Sequence, residues 1–196
     1  MKIVLASKSP RRQTILREAG LTFATINTGT PIPGFAIDDE PQLPDETPFD
    51  YVSRTAREKA IKAFAMIHDD DHLVIAADTV VEIDGHVLGK PEDSREATRF
   101  LQTLSGRVHH VLTAVAVGKN ASDLTLRVDV ASVTFKKLTP EQIDAYVKTD
   151  EPYDKAGGYA IQGKAGAFIE KVEGDPLTVI GLPLRVLKEL LATYGL

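Results

Sequence analysis

The run Leu73-Val74-Ile75-Ala76-Ala77 constrains this chain more than any other segment. Five apolar residues without polar alternation form a strand only where both faces are covered. Such a strand sits inside an α/β layer, with helices packed on each side. Ile3-Val4-Leu5-Ala6 has the same character and ends at Ser7-Lys8-Ser9-Pro10, where a buried strand feeds a loop and Pro10 opens a helix. Ile15, Leu16 and Ala19 fall on one side of that helix, and Gly20 is its stop signal. A second strand is predicted over 21–26. Near-helical spacing of Tyr51, Ala56, Ala60, Phe64 and Ile67 predicts a helix over 48–68.

Local chemistry organises the remainder. Val80 to Leu88 reads as a hairpin around Asp84-Gly85. A helix over 93–104 ends at Ser105-Gly106, and residues 108–118 and 124–136 alternate as antiparallel strands joined by a turn at 120–123. Thr139-Pro140-Glu141-Gln142 is a capping box that opens a helix to about Lys148. A Gly-rich loop at 156–166, a strand at 167–172 and a helix over 183–194 complete the pattern. Crossover and hairpin connections occur together, so the expected fold is α/β with a mixed sheet, in one domain over 1–196. Residues 28–48 hold five prolines and five acidic residues and read as a long functional loop.

With 23 Lys and Arg against 28 Asp and Glu, the net charge of −5 argues against a polynucleotide-binding surface. It leaves room for a small polyanion in a local basic pocket. The absence of cysteine excludes a disulfide framework, a thiolate metal site and a cysteine nucleophile, and suits the cytoplasm. The first seven residues read as a strand rather than a signal peptide, and the longest uncharged stretch, 19–37, is too rich in Pro, Gly and Thr to span a membrane.

Candidate chemistry is spread along the chain. Ser7-Lys8-Ser9-Pro10-Arg11-Arg12 brings hydroxyls, a helix N-terminus and two guanidinium forks together, a combination suited to phosphate. Two cations at the positive end of a helix are unfavourable unless an anion joins them. Asp78-Thr79 follows the apolar strand at the position where α/β proteins bind ligands. There a carboxylate either ligates a cation, accepts a proton, or merely caps the turn into the hairpin. Lys90 sits in the rigid Gly89-Lys90-Pro91 turn, Lys59 on a charged helix face, and Glu40 in an acidic patch that is either solvated or a metal-binding lip. In Gly157 to Gly163, Gln162 offers a donor and an acceptor to a base edge, and Tyr159 reads as a core aromatic. His109 and His110 are strand neighbours and point to opposite faces, one into the core and one to solvent, so they do not form a metal pair.

Taken in order, these blocks resemble the Maf family of nucleotide pyrophosphatases. The likeness is carried by Leu5 to Arg12, Arg57-Glu58-Lys59-Ala60, Ala77-Asp78-Thr79, Gly89-Lys90-Pro91, Leu104-Ser105-Gly106, Gly158 to Gly163 and Gly181-Leu182-Pro183-Leu184. The resemblance implies an inosine-triphosphate-pyrophosphatase-like fold of two lobes around a cleft. It also implies metal-dependent hydrolysis of a nucleoside triphosphate to monophosphate and pyrophosphate, in a cytoplasmic protein that is often a homodimer. Asp78 matches the family's proton acceptor. Arg11, Thr79 and Gln162 match positions that set substrate choice in the dTTP/UTP branch, and Arg12, Glu40, Lys59 and Lys90 match other polar residues of its cleft. Gly174-Asp175-Pro176-Leu177 departs from that branch, which usually has Gly-Ser-Tyr there.

The expected chemistry is a single in-line displacement. Mg²⁺ or Mn²⁺ is held by the substrate's phosphates with Asp78 or Glu40, Asp78 takes a proton from water, and Arg11, Arg12, Lys59 and Lys90 stabilise the phosphate oxygens. Ser7 and Ser9 add hydroxyls to the phosphate cradle, Thr79 shapes the pocket, and Gln162 reads the base. A non-catalytic nucleotide-binding regulator of cell division is the alternative; it needs the cradle but neither Asp78 nor a metal.

Overall fold

The computed structural model describes residues 1–29, 41–68 and 71–196. In chain order the elements are β1 (Lys2–Leu5), α1 (Pro10–Glu18), β2 (Phe23–Thr25), α2 (Pro48–Met66), β3 (His72–Ile83), β4 (His86–Leu88) and α3 (Ser94–Leu104). There follow β5 (Val108–Gly118), β6 (Thr125–Phe135), α4 (Pro140–Val147), β7 (Ile169–Glu173), α5 (Pro176–Ile180) and α6 (Leu184–Ala192).

The strands form one seven-stranded sheet in the order β2-β1-β3-β5-β6-β7, with β4 paired to β3. β1 lies parallel to both β2 and β3, placing Val4 opposite Val74, whereas β4 runs antiparallel to β3 and β7 antiparallel to β6. The sheet is therefore mixed, as the alternation of crossovers and hairpins requires. Helix starts follow their capping residues. Ser9, Thr47 and Asp93 accept the N–H of Arg12, Asp50 and Glu96, and both bonds of the Thr139–Gln142 capping box are made.

One local expectation is corrected, and two other stretches gain detail. The strand expected to end at Ala77 continues through Asp78 and Thr79 to Ile83, so Asp78 is neither at a strand end nor a turn cap. A buried carboxylate inside a strand is tolerated because side chains of α2 satisfy it. The Gly-rich stretch contains short 3-10 turns at Ala156–Gly158 and Lys164–Phe168. Asp175-Pro176 opens the short helix α5, with the Asp175 carboxylate accepting the Leu177 N–H at 2.9 Å. The departure at 174–177 is thus a helix cap.

The chain divides into two compact units, the first comprising residues 1–78, 113–129 and 181–196, the second 79–112 and 130–180. In the first, α2 meets the sheet through small residues: Ala60 and Ala63 pack on Ala6, Val74, Ala76 and Ala116. The second has its own core, where Ala97, Phe100, Leu101 and Leu104 of α3 meet Val111, Val133, Phe135 and Tyr159. Each fully buried leucine there contributes about 1.5–3 kcal/mol of transfer free energy. Among the described residues no helix is long and apolar enough to cross a membrane.

Candidate active site

Strand periodicity places Val74, Ala76 and Asp78 on one face of β3. The first two pack against α2, and Asp78, one step further, meets that helix's polar residues. Lys59 Nζ donates to Asp78 Oδ1 at 2.5 Å and Thr55 Oγ1 donates to Oδ2 at 2.7 Å. Thr55 and Lys59 are four residues apart, hence on the same helical face. Asp78 is buried, as is Thr55.

Arg12 completes the group. Its Nε donates to the Gly181 carbonyl at 2.8 Å and its Nη1 to Ser7 Oγ at 3.4 Å. Ser7 is buried at the end of β1 and also accepts the Ser9 N–H at 3.1 Å. Burial pushes the Asp78 carboxyl up, but the charges of Lys59 and Arg12 and the hydrogen bonds from Lys59 and Thr55 outweigh it and hold the group below the usual carboxylate range. The site thus contains a buried carboxylate kept ionised by two cations, one planar and anchored, the other on a flexible stem.

Of the residues expected from sequence, Ser7, Arg12, Lys59 and Asp78 come together in this way. Ser9 acts as the cap of α1. Arg11 is half-buried and makes no ion pair among the described residues. Thr79 is half-buried on β3, where strand alternation turns it from the α2 face. Glu40 lies outside the described residues.

Lys90 and Gln162 belong to the second unit and are exposed. Their loops are joined by a hydrogen bond from the Gly157 N–H to the Gly89 carbonyl at 2.9 Å. A Cβ on Gly157 would fall 2.9 Å from Val81 Cγ2, and its φ of +67° is itself one that favours glycine. The two sequence blocks are therefore one structural feature. His109 and His110 divide as expected, the first fully buried against Tyr159 and Phe135, the second exposed beside Glu82.

Sequence reading missed two participants. Thr55 carried one available signal, its place four residues before Lys59 on the same predicted helix. Gly181 participates through its backbone carbonyl; its signal was membership of the Gly181 to Leu184 block, which assigns it no role.

A Maf-like protein family model matches residues 2–194. The dTTP/UTP pyrophosphatase of Anaeromyxobacter dehalogenans (strain 2CP-1 / ATCC BAA-258) is 47% identical over 197 residues, covering 99% of this chain and 94% of that protein. The dTTP/UTP pyrophosphatase of Escherichia coli (strain K12) is 44% identical over 193 residues, covering 98% and 93%. Among solved structures, the Staphylococcus aureus Ham1 protein superposes with a TM-score of 0.53 at 12% identity, covering 99% of this chain and all of the other. A HAM1 protein from Coxiella burnetii gives 0.51 at 16%, covering 98% and 99%. These two likenesses concern the fold alone. With nearly every residue matched, and relatives above 40% identity along its length, this chain belongs to the Maf family.

Proposed function

We propose that this protein is a nucleoside triphosphate pyrophosphatase acting on dTTP and UTP, releasing the monophosphate and pyrophosphate. The observation that carries the reading is the buried Asp78 carboxylate, which accepts hydrogen bonds from Lys59 and Thr55 and is acted on by the charge of Arg12, itself bonded to Ser7. The names borne by the relatives from A. dehalogenans and E. coli support the same activity and the same bases.

In this reading a triphosphate recruits the two cations, and Lys59 then shares its charge between phosphate and Asp78. The carboxylate, already ionised, takes a proton from the water that attacks the α-phosphorus, and pyrophosphate departs with the electron pair of the broken P–O bond. Arg12 and Lys59 stabilise the charge on the phosphate oxygens, and Ser7, Ser9 and Arg11 extend that cradle; Lys90 is a further proposed substrate-binding residue. Gln162 reads the base edge and Thr79 shapes the pocket.

The chemistry of Asp78 suits a divalent cation: among the described residues each of its oxygens accepts one hydrogen bond and keeps a lone pair. Mg²⁺ commonly uses one or two carboxylates together with substrate phosphates. Asp78 and Glu40 are the residues proposed to hold Mg²⁺ or Mn²⁺, which when bound neutralises phosphate charge. The reading includes a cytoplasmic homodimer.

The test is pyrophosphate release across dTTP, UTP, CTP and 7-methyl-GTP, with and without Mg²⁺. Turnover of dTTP and UTP, dependent on the metal, is the expected result. Tight nucleotide binding with no turnover overturns the reading in favour of a regulator.

A further inference from the structure

We propose that Thr55 is a positioning residue: its hydroxyl holds the Asp78 carboxylate in its working orientation while the neighbouring cations serve the substrate. The proposal rests on the reading of Asp78 as the proton acceptor.

Thr55 is 1% exposed, and its Oγ1 has three oxygens within reach: Asp78 Oδ2 at 2.7 Å, the Tyr51 carbonyl at 3.0 Å and the Val52 carbonyl at 3.1 Å. A threonine inside a helix ordinarily bonds back to the carbonyl four residues earlier. One hydroxyl has one hydrogen, and it goes to the nearest and most strongly accepting oxygen, here the ionised carboxylate. Thr55 is thereby diverted from its own helix to the strand beside it.

Asp78 has two described donors that differ in kind. Lys59 is a mobile charge on a four-carbon stem, its side chain 20% exposed, and incoming phosphate competes for it. Arg12 also acts on Asp78 through its charge, and phosphate competes for that too. Thr55 is short, neutral, β-branched and stiff at χ1, so a polyanion has little to draw away. When substrate takes up the cations, the bond at Oδ2 still fixes the plane of the carboxylate. Reacting groups misplaced by an ångström lose roughly 100-fold in rate, so this hold acts on the chemical step rather than on affinity.

The test compares Thr55→Val, which keeps the shape and removes the donor, with Thr55→Ser, which keeps the donor, using dTTP as substrate. Thr55→Val is expected to lower kcat roughly 10- to 100-fold while KM changes less than about 3-fold, and Thr55→Ser to restore kcat to within about 3-fold of the parent. On an Asp78→Asn background, Thr55→Val is expected to cause no further loss of the residual rate. Thermal melts run alongside; if Thr55→Val fails to fold, Thr55→Ala takes its place in the comparison. Wild-type kcat in the donor-less variant, a loss that falls on KM, or a loss that Thr55→Ser does not restore each overturns the role of Thr55. These outcomes leave Asp78 standing so long as Asp78→Asn retains only a small residual rate. Normal turnover by Asp78→Asn would instead remove the reading beneath the proposal, and the proposal with it.

Discussion

Arg12 and Lys59 carry the same charge but are not held alike. Two of the guanidinium's nitrogens are tied to Gly181 and Ser7, which fixes its plane, whereas Lys59 is attached to the site only through its ammonium. A lysine at position 12 keeps the charge but cannot reproduce a fork bonded to two separate partners. Arg12→Lys is expected to reduce kcat/KM for dTTP roughly 10- to 100-fold, the loss of one or two charge-assisted hydrogen bonds. Steady-state pyrophosphate release measures it, and an unchanged kcat/KM would show that only the charge matters. Asp78→Asn tests the other sign. It preserves the shape, and one oxygen can still accept a hydrogen bond, but it removes the base. The expected loss in kcat is roughly 10²- to 10⁴-fold, with far-ultraviolet circular dichroism unchanged. At this scale residue type and position pointed to Ser7, Arg12 and Asp78, whereas Lys59, which by itself reads as part of a charged helix face, was named by the family resemblance. The sequence did not yield the role of Gly181, whose carbonyl is bonded from 169 positions away, nor Thr55, whose partner is 23 positions away. A backbone oxygen and a helical threonine have no functional signature until the fold supplies the partner.

The turn that carries Gln162 depends on a neighbouring carboxylate. Glu151 accepts the N–H of Lys164 at 3.0 Å and of Ala165 at 3.4 Å, and the Tyr146 hydroxyl donates to it at 3.3 Å. This carboxylate crowds Gly163 so closely that a Cβ there would lie 1.9 Å from Glu151 Oε1. Gly163→Ala therefore moves the Glu151 carboxylate and breaks both backbone bonds. The expected cost is about 1–3 kcal/mol in urea unfolding, with faster amide exchange at Lys164 and Ala165. Unchanged exchange at those two amides would show that Glu151 adapts without releasing the turn. Elements of this kind were legible to the extent that their signals are local. The capping box at Thr139, the Asp84-Gly85 turn and the stop at Gly20 are each specified within a few residues, and each was found as expected. The course of β3 was not, because Asp-Thr after an apolar run reads as the end of a strand. What keeps the strand going is a pair of donors on α2, which no window around Asp78 contains. The helix α5 did have a local signal in Asp175-Pro176, but at five residues it is too short to show periodicity.

For the molecule as a whole, the buried histidine links stability to pH. His109 is fully buried in the core of the second unit, edge-on to Phe135 and Tyr159 with ring centroids 5.0 and 5.4 Å away. Its Nε2 lies 2.6 Å from the Tyr159 hydroxyl, and its Nδ1 has no hydrogen-bond partner among the described residues. Burial first, and the neighbouring His110 second, push its pKa down from 6.5 to about 4. Between those values the unfolded chain binds a proton that the native state refuses. The neutral histidine's contribution is therefore fully present above about pH 6.5 and is lost as the pH falls toward 4. At about 1.4 kcal/mol per pH unit, the loss over that window is about 3 kcal/mol, a sizeable share of a typical domain's stability. Carboxylates also titrate in this range, so the informative quantity is a difference between two proteins. His109→Gln keeps a polar group that can meet Tyr159 but has no proton to gain. Urea unfolding from pH 7 to pH 4.5 is expected to show the parent losing about 2–3 kcal/mol more than the variant. Parallel stability curves would show that His109 takes up its proton in the native core as readily as in the unfolded chain.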